Sequence, residues 1–183
     1  MKRTIFSLGI AILLAQAALA ASFGEPLLLT SAGQSNDLLI ARQIFMRAGL
    51  EDPPIDAQIL PDSLGQLQTL VVVVGGSSKG LGQAQGAAEQ EILRVEALLL
   101  KAKESKTRIL CMHLGREARR GPLSDRFIEP VLSHVQHLIV LEGGNTDSLF
   151  TKAAAEFALP LVEVHDYVGA VEEVNALFGW ERP

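Results

Sequence analysis

Cysteine is almost missing from this chain. Cys111 is the only one, so no intramolecular disulfide can form. It lies in the apolar run 109–114 with no electropositive neighbour in sequence, which suits a small buried hydrophobe better than a reactive thiol. Excess basic charge is missing too: 16 Lys and Arg stand against 21 Asp and Glu, a net charge of −5. That balance argues against nucleic acid as a partner, because phosphate backbones are bound by concentrated cations. Aromatic residues make up only 5%, and the single Trp and Tyr, Trp180 and Tyr167, stand near the end of the chain. No His-x-x-x-His spacing suggests a metal, and neither repeats nor low-complexity tracts occur.

The first twenty residues read as an export signal. Lys2 and Arg3 precede a short apolar core, residues 5–14, and Ala18-Leu19-Ala20 supplies the small side chains of a cleavage site. The apolar core falls short of the roughly 20 residues a bilayer-spanning helix needs, and no stop-transfer pattern follows. The reading is therefore a periplasmic or secreted protein that begins at Ala21 and holds no membrane segment after cleavage. Loss of Lys2 and Arg3 takes its formal charge from −5 to −7. Residues 21–183 suit a single domain with one substantial core.

The stretch Thr69–Gly82, TLVVVVGGSSKGLG, organises that domain. Four consecutive valines, β-branched and apolar on both faces, read as a central strand of a parallel sheet covered by helices on both sides. Strand patterns at 27–30, 55–60, 108–114, 137–141 and 161–164 alternate with helical ones at 38–48, 89–104, 124–131, 149–157 and 168–178. Ser35 or Asn36 and Ser124 are read as helix caps. On the third helix Ile92, Val95, Leu99 and Ala102 share an apolar face, while Glu91, Arg94, Lys101 and Glu104 suit water. The expected fold is α/β: a three-layer α/β/α sandwich with a mostly parallel sheet of five to six strands, flavodoxin-like or Rossmann-like. The short second connection favours the order 2-1-3-4-5 over 3-2-1-4-5.

In such folds ligands bind at the carboxyl ends of the strands. Four loops converge there: 31–37, 75–88, 115–123 and 143–147. The second and third hold Lys79, Arg116, Arg119 and Arg120 against Glu117 alone. Cations beside glycine-exposed amides suit a phosphate or carboxylate. In the expected site Gly76, Ser77, Ser78 and Gly80 cradle a small anionic molecule. Lys79, Arg116, Arg119 and Arg120 neutralise it, with Arg116 nearest the strand end. Ser31, Gln34, Ser35 and Asn145 orient it. No cofactor or metal is called for, and enzymatic activity is left open. Two other readings compete: a hydrolase in which G-x-S-x-G offers Ser78 as nucleophile and His113 as base, and an interaction module whose basic loops dock an acidic protein.

Thr30-Ser31-Ala32-Gly33-Gln34-Ser35 resembles the phosphate loop of flavodoxins, with Ala32 in place of a hydroxyl residue. The flavin those proteins hold needs aromatic rings in the second to fourth loops, and none is there. Residues 76–82, GSSKGLG, resemble the glycine motif of short-chain dehydrogenases. That motif belongs to a first strand, and no Tyr-x-x-x-Lys pair is present, so the resemblance implies an anion cradle without hydride chemistry. Taken together, TSAGQS, VVVVGGSSKGLG, MHLGREARRGPLSD and EGGNTD make the chain similar to a bacterial family of small exported α/β proteins classed as a domain of unknown function. This resemblance implies the fold and the choice of loops, with no reaction attached.

Overall fold

The computed structural model describes residues 23–181. The segment read as an export signal, residues 1–20, and its cleavage point lie outside the described residues. Five strands, β1 (Leu27–Ala32), β2 (Thr69–Val74), β3 (Arg108–His113), β4 (His137–Leu141) and β5 (Leu161–Val164), form one all-parallel sheet in that spatial order. Six helices accompany them: α1 (Asp37–Arg47), α2 (Ser78–Leu81), α3 (Ala87–Glu104), α4 (Pro122–Leu132), α5 (Leu149–Phe157) and α6 (Tyr167–Phe178).

β2 carries both cores. Successive strand side chains point to opposite faces, so Leu70, Val72 and Val74 join Leu99, Phe127 and Phe150 beneath α3, α4 and α5. Val71 and Val73 join Phe45, Val171 and Val174 beneath α1 and α6. All five are at most 1% exposed, and each such burial stabilises the fold by about 1.5–3 kcal/mol. Cys111 is buried in the first of these cores, and loss of solvent pushes its thiol far above the ordinary range.

The expected strand at 55–60 is reduced to one parallel bridge, Leu29 with Ile55. Leu29 donates to Pro54 O, and Asp56 donates back to Leu29 O. Beyond that point the segment's carbonyls go to side chains instead of a ladder: Gln34 Nε2 takes Ala57 O, and Arg94 takes Ile59 O. Because the bridge lies outside β1, the arrangement is the flavodoxin-like order with its second strand cut short. The point where the connections change faces falls between β1 and β2. α1 leaves β1 toward one face, and α3 leaves β2 toward the other.

Three local expectations need correction. The segment 75–88 is not one open loop, since α2 forms inside it, capped by Ser77 Oγ accepting from Gly80 N–H. Ser124 is not the cap of α4. Gly121 holds that position with Pro122 opening the helix, where proline's missing N–H and fixed φ cost nothing. Ser124 Oγ instead accepts from Gly76 N–H at 3.0 Å and ties the second loop to α4. Asn36, at the N-cap of α1, makes no side-chain cap, while Ser35 Oγ accepts from Asp37 N–H.

Candidate functional site

At the crossover point the first two loops are joined to each other. Gly75 N–H donates to Ala32 O and Ser77 N–H to Gly33 O, and Gln34 bridges Gly76 in antiparallel fashion. Gly80 packs directly on the Gln34 carbonyl, which leaves no room for a Cβ. A Cβ at Gly33, where φ is +100°, would stand 2.6 Å from Gly75 O. The glycines permit this loop-to-loop contact. One consequence is that the backbone amides of Gly75, Gly76, Ser77 and Gly80 already have internal acceptors. Ser78, Lys79 and Gly80 are exposed.

The first loop also holds an anion supplied by the chain itself. Glu91, on α3, accepts the Gly33 N–H at 3.0 Å and Gln34 Nε2 at 2.9 Å. Its two carboxylate oxygens take Arg94 Nε and a terminal nitrogen, both at 2.8 Å. Arg94 continues to Ile59 O at 3.0 Å and Ser31 O at 2.6 Å. The side chains of Glu91 and Arg94 are only 6% and 10% exposed, so neither faces water as the helical pattern suggests. The spacing 91–94 is an ordinary i,i+3 pair. Nothing in the sequence reveals that a loop 58 residues away supplies the remaining donors.

The three loop arginines are held by the fold. Arg116, at φ +51°, donates to Glu142 O and His165 O, both at 3.0 Å, clamping the ends of β4 and β5. Arg119 ends a 3-10 turn, 117–119, and the chain becomes extended only at Arg120, so the two side chains diverge. Arg119 Nε stands 3.6 Å from Asp37 Oδ1. Arg120 reaches Asp125, Gly144 O and both oxygens of Asp147, with its guanidinium over the Phe150 ring. The Arg120 hydrogen bond holds the Asp147 carboxyl below its usual range.

Asn145 is likewise built in: Oδ1 accepts from Phe150 and Thr151 N–H, and Nδ2 donates to Thr151 Oγ1 and Glu163. Ser31 is buried, its hydroxyl without a partner among the described residues. His113 is fully buried, stacked 5.3 Å from Phe150. Its Nδ1 lies 3.2 Å from Val74 O and its Nε2 3.2 Å from Arg116 O. Burial pushes its pKa down against the pull of those two carbonyls. Both ring nitrogens thus face backbone, and no described hydrogen bond links His113 to the exposed Ser78.

What stays open at this end is a cleft of ≈ 250 Å³ beside the joined loops, lined by Gln34, Gln58, Leu60, Gly80, Leu81, Ala87, Gln90, Glu91 and Arg94. α3 begins here. Its N-cap, Gly86, is left-handed at φ 80° and brings no capping side chain. Ala87 N–H returns to Ala84 O and Gln90 N–H to Gly86 O, and no described group accepts from Ala88 N–H. Lys79, next to Gly80, is in no described ion pair. An 18-residue helix directs the positive end of its dipole at such an opening. The residues that carry this cleft, Gln58, Gln90 and the start of α3, carry no motif. Only the break in apolar patterning before residue 87 marks them.

The sheet order, the joined crossover loops and the polar cleft define a small parallel α/β protein of flavodoxin-like order. The chain belongs to the family described as Domain of unknown function (DUF6305), whose model matches residues 24–178. A search of curated proteins returned no match.

Proposed function

We propose that this is an exported binding protein for a small molecule bearing a carboxylate or phosphate, held in the cleft between the joined loops and the start of α3. The export half of this reading rests on the sequence of residues 1–20. The binding half rests on one observation: the uncapped start of an 18-residue helix opens into a polar cleft at the strand carboxyl ends. The Ala88 N–H is left without a described acceptor there, and the Glu89 carboxylate of the first turn is engaged by Arg126; a free amide at a helix N-terminus favours negative charge. Lys79, exposed and next in sequence to Gly80 of the cleft wall, is the cation to meet an anionic group, and the Gln58 and Gln90 amides offer donors and acceptors to the rest of the molecule. Compared with the site expected from sequence, the charge-bearing role moves from the arginines, which have internal partners, to Lys79 and α3. A serine hydrolase is less well supported, because His113 is buried with both nitrogens on carbonyls.

Native mass spectrometry of the purified protein, beside Lys79→Gln and Gln90→Leu, tests the proposal. A retained small acid whose occupancy falls in both variants supports it. Equal retention in all three would overturn it.

A further inference from the structure

The opposite end of the sheet holds a second cavity, of ≈ 420 Å³, lined by Lys103, Lys106, Thr107, Arg108, Ile109, Ser133, His134 and Gln136. It lies where α3 and α4 end and β3 and β4 begin. The chain as a whole is acidic, yet three cations and a histidine line this space without a single carboxylate. Cations elsewhere are largely matched: Arg42 with Asp52, Arg94 with Glu91, Arg120 with Asp125 and Asp147, Arg126 with Glu89, Lys101 with Glu104. Among the described residues Lys103, Lys106 and Arg108 have no ion-pair partner.

The walls are built and their polar atoms are satisfied. Gln136 accepts from Ile109 N–H and donates to His134 O, and Thr107 Oγ1 donates to Leu67 O. The turn amides of Ser105, Lys106 and Thr107 take the last carbonyls of α3, which blunts the negative end of that helix dipole. What is left over is on the cationic side chains. Arg108 contributes to the wall, but its guanidinium turns to the other face of the sheet, 4.7 Å over the Phe23 ring, which leaves Lys103 and Lys106 as the cations at the opening. His134 Nδ1 is buried with no partner among the described residues. Buried donors without acceptors are uncommon and costly. The nearby acids are engaged or remote: Glu104 pairs with Lys101, Glu173 with His137, and Glu96 is felt at His134 less than Lys103 is.

We propose that this cavity is a second binding site, for a phosphate group, distinct from the cleft at the carboxyl ends. Lys103 and Lys106 supply the charge at its mouth. The exposed Ser133 hydroxyl stands on its rim.

The test is a titration of the full chain with inorganic phosphate, followed at the Lys103, Lys106 and Thr107 backbone amides by NMR so that this cavity is read apart from the cleft beside Lys79, in wild type, Lys103→Gln/Lys106→Gln and Lys79→Gln. Both lysines are exposed, so the double variant reports on binding without disturbing the core. Saturable shifts of the Lys103, Lys106 and Thr107 amides are expected, with an affinity weakened at least about tenfold in the double variant and unchanged by Lys79→Gln. Absence of saturable binding, or equal affinity in wild type and the double variant, would overturn the proposal.

Discussion

The Glu91 carboxylate occupies the Gly33 backbone amide at 3.0 Å. A loop that resembles a phosphate loop is thus occupied by a side chain of the same protein. One pair of residues joins the start of the site to α3, and Arg94 extends the connection to the segment beyond Ile55 through Ile59 O.

Breaking either side of this pair strands a buried charge. Glu91→Leu or Arg94→Met alone should cost about 3–5 kcal/mol. The double variant should cost well under the sum, because it removes both charges together. Urea unfolding of the four-member cycle measures this, and additive losses would show that the pair does not act as a unit.

Much of the fold is legible in residues 69–74, because four β-branched residues in a row have few other uses. Helix periodicity fixes α3, α5 and α6 to within two residues. The strand at 55–60 is not legible as a single bridge, since its loss depends on Gln34 and Arg94 capturing the Ala57 and Ile59 carbonyls. The candidate site is less legible for the same reason. Arg116, Arg119 and Arg120 are visible as charges, but their partners, Glu142 O, Asp37 of α1, Asp125 of α4 and Asp147, come from other elements. Sequence shows where cations are; only the fold shows which are spent.

Val72 sits at 1% exposure in the core under α3. Val72→Ala should lower stability by about 1–3 kcal/mol, read from the shift of the urea midpoint at unchanged slope. A loss below half of the lower figure would contradict the central placement of β2.

Arg120, whose side chain is only 7% exposed, leaves Asp125, Asp147 and Gly144 O without their donor when truncated. Arg120→Ala should therefore destabilise the fold by about 3 kcal/mol. If it instead abolished ligand retention at unchanged stability, the arginine would be a binding residue rather than a strut.

His113 gives a pH dependence of definite sign. Burial lowers its folded pKa beneath the ordinary 6.5. Below about that pH the unfolded chain binds a proton that the folded chain refuses. Its contribution to stability is complete above pH 6.5 and is lost as pH falls through the folded value. His134 and His137 are shifted the same way by burial and add to the slope. A ring titration of His113 by NMR should give a pKa under 6.5; a value above it would show that the Val74 and Arg116 carbonyls outweigh burial.

The most direct test of the binding proposal is backbone amide shift mapping in the Lys103→Gln/Lys106→Gln background, which silences the cavity at the other end of the sheet. Titration with inorganic phosphate should move the Ala87, Ala88 and Gln90 amides first, and Lys79→Gln should reduce those shifts. Shifts centred on residues 116–120 would return the site to the arginine loop. No shift at the start of α3 would contradict the account of the cleft.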